Sequence, residues 1–371
     1  MKQQLASLRE LVKQKIKCLE YRIRERNQNL AQHQVRALLL NTDSGKALIR
    51  LYDALGPLLS PKTDSEKKKE LEITQAVEVM RKHLWGDAAT RSLFEASGVH
   101  LAPARFYSDI PTVTEIVSSY EYKEDSPPYL DAAIFDLQEM RDFLQVLMRY
   151  AGEFSPPTDG DSKMPKGYYW NNTAFSGSDA MSYYCMIRYL KPQVILEVGS
   201  GYSTLVAAEA VRQNGTGEII CIEPFPMDFV KAIQQVRTLV EKKVQDVTVD
   251  YFNDVLGDGD ILFIDSTHTV KAGSDCLHLY LKVLPYLTSN IVIHAHDIFL
   301  PEAYPMAWRL EKHIYWNEQY LLLALLMDGQ KYKVLYGSNY HRLLNRDLLN
   351  KLMGDKARIW GGSFWFMRTT V

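Results

Sequence analysis

From residue 168 onward, short aliphatic and β-branched runs alternate with amphipathic segments, and this alternation constrains the fold more than any other feature. The runs predict strands at VILEV (194–198), EIICIE (218–223), a weaker stretch within 236–249, DILFID (260–265) and NIVIHAHD (290–297), and the segments predict helices at 178–190, 203–213, 227–236, 271–284 and 313–327. Alternation at this spacing predicts an α/β fold, a mostly parallel sheet with helices on both faces. Ligands of such sheets bind beyond the carboxyl ends of the strands, so the residues that follow each strand are the functional candidates.

The chain of 371 residues is too long for one small domain, and its first part has a different composition. We predict a helical N-terminal region over 1–104, a helical linker and lid segment over 105–167, and the α/β domain over 168–371. The boundary lies in the loop-like sequence PPTDGDSKMPKG (156–167).

Charge is distributed unevenly along the chain, although the net charge is only −2. Residues 1–40 carry nine basic and three acidic side chains, a net of +6, whereas residues 111–160 carry three basic and ten acidic ones, a net of −7. The near-neutral total gives no general attraction to nucleic acid. Apolar residues within 1–40 recur at helical spacing, which is equally consistent with a helix packed on its own domain and with a coiled coil that forms a homodimer.

Composition excludes several classes of protein. Hydrophobic residues make up 46% and charged residues 24%, which is typical of a globular chain and not of a disordered, collagen-like or polytopic membrane protein. The four cysteines form no CxxC pair, and the apolar run LLLALLM (321–327) is far shorter than the roughly 20 residues of a membrane span. These features predict a cytoplasmic protein without a membrane span.

The first predicted strand is followed by a glycine-containing turn with the sequence Glu197-Val-Gly199-Ser-Gly201-Tyr-Ser-Thr204. Glycines allow the backbone to turn tightly and to approach a ligand closely. The dinucleotide fingerprint requires a third glycine where this chain has Thr204, which disfavours an NAD-dependent dehydrogenase. An acid two residues before the first glycine is instead typical of S-adenosylmethionine (SAM) sites, and Glu223, at the end of the next strand, can accept both ribose hydroxyls.

The segments VILEVGSGYSTLVAAEA, FIDSTHTVKAGSD and IVIHAHDIFLPEAYPMAW resemble the class I SAM-dependent methyltransferases of bacterial biosynthetic clusters, most of all methyltransferase family 24. The resemblance runs from about residue 97 to the C-terminal GGSFWF. It implies a Rossmann-like sheet and SAM as the cofactor, with the glycine turn at the methionine side, Glu223 at the ribose and the residues after the third strand near adenine. The implied cofactor-binding residues are Glu197, Gly199, Ser200, Gly201, Tyr202, Ser203, Glu223, Gln245, Asp246 and Asp265.

Acidic and histidine side chains occur at the carboxyl ends of the fourth and fifth predicted strands, in Asp265-Ser-Thr-His268 and in His294-Ala-His296-Asp297. Burying such groups is costly unless they are paired or perform a function. We predict a divalent metal site for Mg²⁺, Mn²⁺ or Fe²⁺ formed by Asp265, His296 and Asp297, with His268 as general base and Asp265, His268 and His296 as the catalytic residues. The catechol-type O-methyltransferases, which this region resembles, have a carboxylate where this chain has His296.

Two features limit this prediction. Successive residues of a strand point to opposite faces, so His296 and Asp297 can share one metal only if the strand twists or bulges at its end. In the competing interpretation, the acids cap loops and contact SAM, while the histidines form hydrogen bonds in the core.

Three functions therefore remain open. The first is metal-assisted O-methylation of a hydroxyl on a sugar or natural product, the acceptor being implied by the resemblance. The second is metal-independent O- or N-methylation with His268 or His296 as base. The third is a SAM-binding scaffold that recruits partners through its N-terminal helix. Four aromatic residues could line an acceptor pocket or a packed lid: Tyr304, Trp308, Tyr315 and Trp316.

Overall fold

A computed structural model of the protein describes residues 64–123, 126–175, 177–327 and 331–368. The chain divides into two compact units, one comprising Met1–Asp125 with Pro305–His313 and the other Ser126–Tyr304 with Ile314–Val371. The predicted helix and coiled coil over residues 1–40 lie outside the described residues, and the predicted domain boundaries stay a prediction.

The larger unit contains a seven-stranded sheet with the strand order β3-β2-β1-β4-β5-β7-β6. Strands β1 to β5 are parallel, whereas β7 is antiparallel to both of its neighbours. The strands are β1 (Val194–Val198), β2 (Glu218–Ile222), β3 (Val236–Val240), β4 (Ile261–Ile264), β5 (Val292–Ala295), β6 (Tyr332–Gly337) and β7 (Phe364–Arg368). The predicted α/β fold with a mostly parallel sheet is confirmed.

Thirteen α-helices lie within the described residues. They are α1 (Asp64–Arg81), α2 (Ala88–Ala96), α3 (Val113–Ser118), α4 (Leu137–Ala151), α5 (Ser178–Leu190), α6 (Tyr202–Asn214), α7 (Asp228–Lys231), α8 (Val249–Val255), α9 (Asp275–His278), α10 (Met306–Glu311), α11 (Glu318–Met327), α12 (Ser338–Leu344) and α13 (Arg346–Met353). None of these helices combines the length and the apolar character that crossing a membrane requires.

Strand residues alternate between two hydrophobic cores, one on each face of the sheet, because successive side chains of a strand point in opposite directions. On one face, Ile195 and Phe263 pack with residues of α5 and α6. On the other face, Leu196 and Ile264 pack with α11 and the segment around Tyr280. Both faces of the central strands are therefore buried, which explains their nearly continuous apolar sequences.

In the smaller unit, local hydrogen bonds fix the ends of short helices. Thr112 and Glu115 form a capping box at the start of α3, in which each side chain bonds the other residue's backbone N–H. Arg309 of α10 pairs with Glu121 at 3.1 Å, so the segment Pro305–His313 is joined to the chain near α3 by an ion pair.

Candidate active site

The order of the strands reverses between β1 and β4, and the carboxyl ends of these two strands come very close together. The amide of Asp265 donates to the carbonyl of Val198 at 2.8 Å. Gly199 has a φ of +83°, and a Cβ atom at this position would lie only 2.3 Å from the carbonyl oxygen of Asp265. Only glycine fits here, so the first predicted glycine lies at the point of the sheet where ligands of such folds bind.

Glu197 lies fully buried beneath the glycine turn. One of its carboxylate oxygens accepts a hydrogen bond from Tyr183 at 2.8 Å, and the other accepts one from Thr204 at 2.5 Å. The Thr204 hydroxyl in turn accepts from the amide of Gly201 at 3.0 Å. Burial raises the pKa of Glu197 to about 7, although the hydrogen bonds from Thr204 and Tyr183 oppose the shift. Thr204 thus links the glycine turn to the buried carboxyl group.

The other predicted cofactor residues lie along the ends of the first three strands. Ser200 has a buried hydroxyl with no hydrogen-bond partner among the described residues. Glu223 accepts from the amide of Phe225 at 2.8 Å, and Gln245 donates to the carbonyl of Gly273 at 3.2 Å. The remaining predicted residues also lie here: Tyr202 and Ser203 are buried at the start of α6, and Asp246 is exposed in the turn Val244–Asp246.

Asp265, His268, His296 and Asp297 converge beyond the ends of β4 and β5, and we call these four residues the acid–histidine group. Asp265 Oδ1 lies 3.3 Å from His268 Nε2 and 3.4 Å from His296 Nδ1. Asp297 Oδ2 lies 3.8 Å from each of the same two nitrogens. The two rings are buried, whereas the side chains of Asp265 and Asp297 are 36% and 22% exposed, so the group opens on its carboxylate side.

Unusual backbone conformations make this convergence possible. His268 and Asp297 have φ values of +58° and +52°, in the left-handed region that residues other than glycine rarely adopt. At Asp297 this conformation interrupts the alternation of the strand, and its carboxylate reaches the same two nitrogens as Asp265. The twist required for His296 and Asp297 to share a ligand is therefore present. Backbone strain of this kind is typical of functional sites.

On the side away from the group, His268 is held by Glu318, a fully buried residue at the start of α11. His268 Nδ1 lies 2.7 Å from Glu318 Oε2. The same carboxylate accepts hydrogen bonds from Ser266 at 2.9 Å and from Tyr280 at 2.7 Å. Tyr280 belongs to a π-helical turn, Leu279–Val283, a rare element that is frequent at functional sites.

His296 has a corresponding partner on its far side. Asp179, buried in the first turn of α5, places Oδ2 3.4 Å from His296 Nε2. The Asp179 carboxylate is fixed by hydrogen bonds from the amides of Gly362 at 2.9 Å and Ser363 at 2.7 Å, and from the Ser338 hydroxyl at 2.8 Å. Part of the GGSFWF sequence therefore serves to hold the acid that contacts His296.

Electrostatic interactions within the group are strong. Burial opposes ionisation of Asp265, but His296 and His268 hold its pKa well below the usual range. Burial also opposes protonation of both rings, yet contacts with Asp265 and Glu318 raise the pKa of His268 to about 10, and the carboxylates of Asp297 and Asp265 raise the pKa of His296 well above its usual value. Without a bound cation, the neighbouring carboxylates therefore favour protonated imidazoles, and the imidazoles favour an ionised Asp265.

The remaining residues that the sequence singled out are not part of the acid–histidine group. His294 is buried in the core, stacked on Phe263 with ring centroids 4.2 Å apart, and its Nε2 is hydrogen-bonded to Ser363 at 2.8 Å. Tyr304 is buried and accepts from the amide of Gln319, whereas the ring of Trp316 lies 4.3 Å from that of His268, beside the group. Two further predicted pocket residues, Trp308 and Tyr315, are half-buried.

Sequence reasoning missed Glu318 and assigned Asp179 no role at the site. Both are acids in the first turn of a helix, where a carboxylate is favourable for local reasons alone. Nothing in the sequence around them indicates a contact with a histidine far away in the chain.

Residues 196–298 match the family model of a methyltransferase domain. This segment of the chain is therefore similar to methyltransferase domains of family 24. The match covers β1 to β5, the glycine turn and the acid–histidine group. The predicted resemblance to methyltransferase family 24 is thereby confirmed, while the activity and the roles of the individual site residues stay predictions.

Individual proteins that resemble this chain share little sequence identity with it. An uncharacterized protein of Archaeoglobus fulgidus is 29% identical over 157 residues, which are 40% of this chain and 71% of the relative. The O-methyltransferase TomG of Streptomyces achromogenes, solved with SAM, is 12% identical, covers 64% of this chain and 92% of its own, and has a TM-score of 0.34. The O-methyltransferase of Bacillus cereus, solved with SAH, is 12% identical over 65% of this chain and 94% of its own, with a TM-score of 0.31.

Proposed function

We propose that the methyltransferase domain catalyses metal-assisted methylation of a hydroxyl group. The observation that carries this proposal is the position of the acid–histidine group, which adjoins the glycine turn at the switch point of the sheet. An acid–base group beside a cofactor turn is what methyl transfer to oxygen requires, since the acceptor must lose a proton while its oxygen is aligned with the methyl group.

SAM fits the residues present at the glycine turn. The unpartnered buried hydroxyl of Ser200 offers a hydrogen bond, and the half-buried carboxylate of Glu223, at the end of β2, is suited to ribose hydroxyls. When bound, SAM supplies an electrophilic methyl group on a sulfonium. The chain's own contribution is to hold the turn rigidly, through the series of hydrogen bonds from Gly201 to Thr204 to Glu197.

The reaction balances as one bond exchanged for another. The acceptor oxygen forms a bond to the methyl carbon while the carbon–sulfur bond breaks, and the hydroxyl proton leaves to solvent on the partly exposed carboxylate side of the acid–histidine group. Water exclusion around the buried rings and the packing of Trp316 against His268 keep this group oriented. A hydroxyl on a sugar or natural product is the acceptor that the family resemblance implies.

The acid–histidine group also fits a divalent metal. Its four inward-facing atoms are Asp265 Oδ1, Asp297 Oδ2, His268 Nε2 and His296 Nδ1. The ligand atoms of Asp265, His268 and His296 all lie within 4.8 Å of one another. A bound cation would lower the pKa of the acceptor hydroxyl and hold its oxygen. His268 would then serve as a ligand in addition to Asp265, His296 and Asp297, the three residues predicted from the sequence.

A second candidate is metal-independent methylation with His268 as general base. The pairing of His268 Nδ1 with the buried Glu318 at 2.7 Å favours it, because a carboxylate behind an imidazole orients a histidine base and stabilises its protonated form.

One experiment tests both candidates. The purified protein would first be titrated with SAM in a calorimeter, then assayed with a panel of hydroxylated acceptors after treatment with EDTA, with and without added metal. We expect SAM binding in all samples and methyl transfer only after metal is restored. Full turnover without metal would establish the second candidate, and absence of SAM binding would refute the methyltransferase proposal itself.

A further inference from the structure

We propose that the acid–histidine group is a two-nitrogen metal site that selects transition metals such as Fe²⁺, Co²⁺ or Zn²⁺ over Mg²⁺, and that Glu318 and Asp179 are positioning residues for its two histidines. This inference rests on the metal-assisted function proposed above and identifies the class of ion and the residues that set the preference.

The first support is the spacing of the inward-facing atoms. Hydrogen bonds between nitrogen and oxygen are about 2.7–3.2 Å long. The contacts of Asp265 and Asp297 with the two imidazoles are longer, at 3.3, 3.4, 3.8 and 3.8 Å. Two ligands bonded to one ion at about 2.1 Å with tetrahedral geometry lie about 3.4 Å apart. The atoms are therefore spaced as ligands of one ion are.

The second support is the orientation of the His268 ring. Both oxygens of Glu318 act as acceptors for the hydroxyls of Ser266 and Tyr280, and His268 Nδ1 lies 2.7 Å from Oε2. With Nδ1 held by Glu318, the ring points Nε2 at Asp265 and Asp297, and Nε2 is the atom that a cation would bind in place of a proton.

The third support is that His296 is arranged as His268 is, between a buried acid and the acid–histidine group. The two ring nitrogens have exchanged places, so that Nε2 faces the buried acid. Asp179 lies behind Nε2, so Nδ1 is the nitrogen that faces Asp265. Asp179 cannot turn away easily, because both of its oxygens accept hydrogen bonds from Gly362, Ser363 and Ser338. Histidines that bind metals almost always donate their other ring N–H to an acceptor, and Asp179 Oδ2, 3.4 Å from Nε2, lies on the side where that acceptor is required.

The donor set determines the preference for the ion. Mg²⁺ binds carboxylates, phosphates and water and is rarely bound through imidazole. Imidazole nitrogens suit Zn²⁺, Fe²⁺, Ni²⁺ and Cu²⁺, and two histidines with a carboxylate are a typical set for Fe²⁺. Two buried imidazoles on one side and two partly exposed carboxylates on the other therefore favour a transition metal.

The experiment measures metal binding separately from catalysis. The full-length protein, stripped with a chelator and dialysed, is titrated with Co²⁺ and with Mg²⁺ in a calorimeter, and Co²⁺ loading is followed by its visible absorption. We expect one Co²⁺ per chain, the visible bands of nitrogen-ligated Co²⁺, and affinity at least about 100-fold higher than that for Mg²⁺.

Two variants test the roles of the residues. His296→Asp replaces a nitrogen with an oxygen and should lower the ratio of Co²⁺ to Mg²⁺ affinity by about 10-fold or more. Glu318→Gln should weaken Co²⁺ binding by about 10–100-fold and alter the visible bands. Asp260→Asn is the matched control, since Asp260 is equally buried but lies at the opposite end of β4 and bonds only backbone amides. It should leave the Co²⁺ affinity unchanged.

The outcomes separate this inference from the proposed function. Equal affinity for Mg²⁺ and Co²⁺, or no metal binding at all, would overturn the inference. An unchanged affinity ratio in His296→Asp would do the same, and so would Glu318→Gln behaving like the Asp260 control. If Co²⁺ binds as expected but SAM does not, the metal site stands and the methyltransferase proposal fails.

Discussion

The end of β1 and the ends of β4 and β5 both place carboxyl groups at the same edge of the sheet, but these groups differ in hydrogen bonding and in exposure. At β1, both oxygens of Glu197 are bonded to hydroxyls of the chain itself, and no solvent reaches them. At β4 and β5, Asp265 and Asp297 face two imidazoles without close hydrogen bonds and remain partly exposed. The first arrangement keeps a loop in shape, whereas the second is available for a ligand.

If this difference is functional, removing a charge from the acid–histidine group should have the largest effect on catalysis. Asp265→Asn keeps the shape of the side chain but removes the charge next to both histidines. We expect methyl transfer to fall by about 10²–10⁴-fold, the usual contribution of an acid–base group, with little change in the midpoint of urea unfolding. Asp254→Asn, the same change at an exposed site on α8, serves as the control. Equal activities of the two variants would contradict the assignment.

At the end of β1, where the carboxyl group is hydrogen-bonded within the chain, a substitution should instead change the stability of the fold. In Gly199→Ala, the added methyl group meets the Asp265 carbonyl at 2.3 Å, on a backbone with a φ of +83°. We expect the free energy of unfolding to fall by about 3 kcal/mol or more, as strain and overlap add together. Urea unfolding measures the change. Gly152→Ala, where the methyl group meets open space, should change stability by less than about 1 kcal/mol.

The parallel strands were predictable from the sequence, whereas the two strands that pair antiparallel, β6 and β7, were not. The predicted strand VILEV coincides with β1 at 194–198, because a central parallel strand is a continuous apolar run. Neither β6 nor β7 was predicted. The run FWFMR of β7 consists largely of aromatic residues after two glycines, and its partner β5 lies about 70 residues earlier. Pairing between strands so far apart in the chain leaves no recognisable pattern in the local sequence.

The site residues divide in the same way, into those that the sequence predicts and those that only the tertiary structure brings to the site. Parallel topology alone brings the carboxyl ends of predicted strands to one edge, and these ends carry Gly199, Asp265, His296 and Asp297. Glu318 enters from α11, and only the tertiary fold brings its carboxylate to His268. The left-handed conformation of Asp297 is likewise invisible in a sequence with aspartate there, since glycine is the residue that signals it.

A smaller effect is expected at Thr204, whose hydroxyl links the glycine turn to Glu197 at the end of β1. Thr204→Val preserves shape but removes the hydroxyl that donates to Glu197 and accepts from Gly201. We expect a loss of about 2 kcal/mol in the free energy of unfolding, as for other buried polar groups left without partners. Thr204→Ser keeps the hydroxyl and should lose only about 1 kcal/mol, the cost of one methyl group. Equal losses would show that the hydroxyl is unimportant.

The smallest effect concerns pH. Burial raises the pKa of Glu197 from an ordinary 4.5 to about 7. Between these values, the folded chain retains a proton that the unfolded chain releases, so raising the pH favours unfolding. The stabilising contribution is fully present below pH 4.5 and is lost as the pH rises through 7. We expect Glu197→Gln to remove on the order of 1 kcal/mol from the decline in stability between pH 5 and pH 8.

Urea unfolding at the two pH values measures this difference, and the remaining titratable groups cancel because wild type and variant share them. Glu241→Gln is the control, since it makes the same chemical change at an exposed ion pair with Lys231. If Glu197→Gln shows the same pH dependence as wild type, the carboxyl group is ionised when folded, and the hydrogen bonds from Thr204 and Tyr183 outweigh its burial. The two ends of the site would then both hold charged carboxylates, and only the presence of imidazoles would distinguish them.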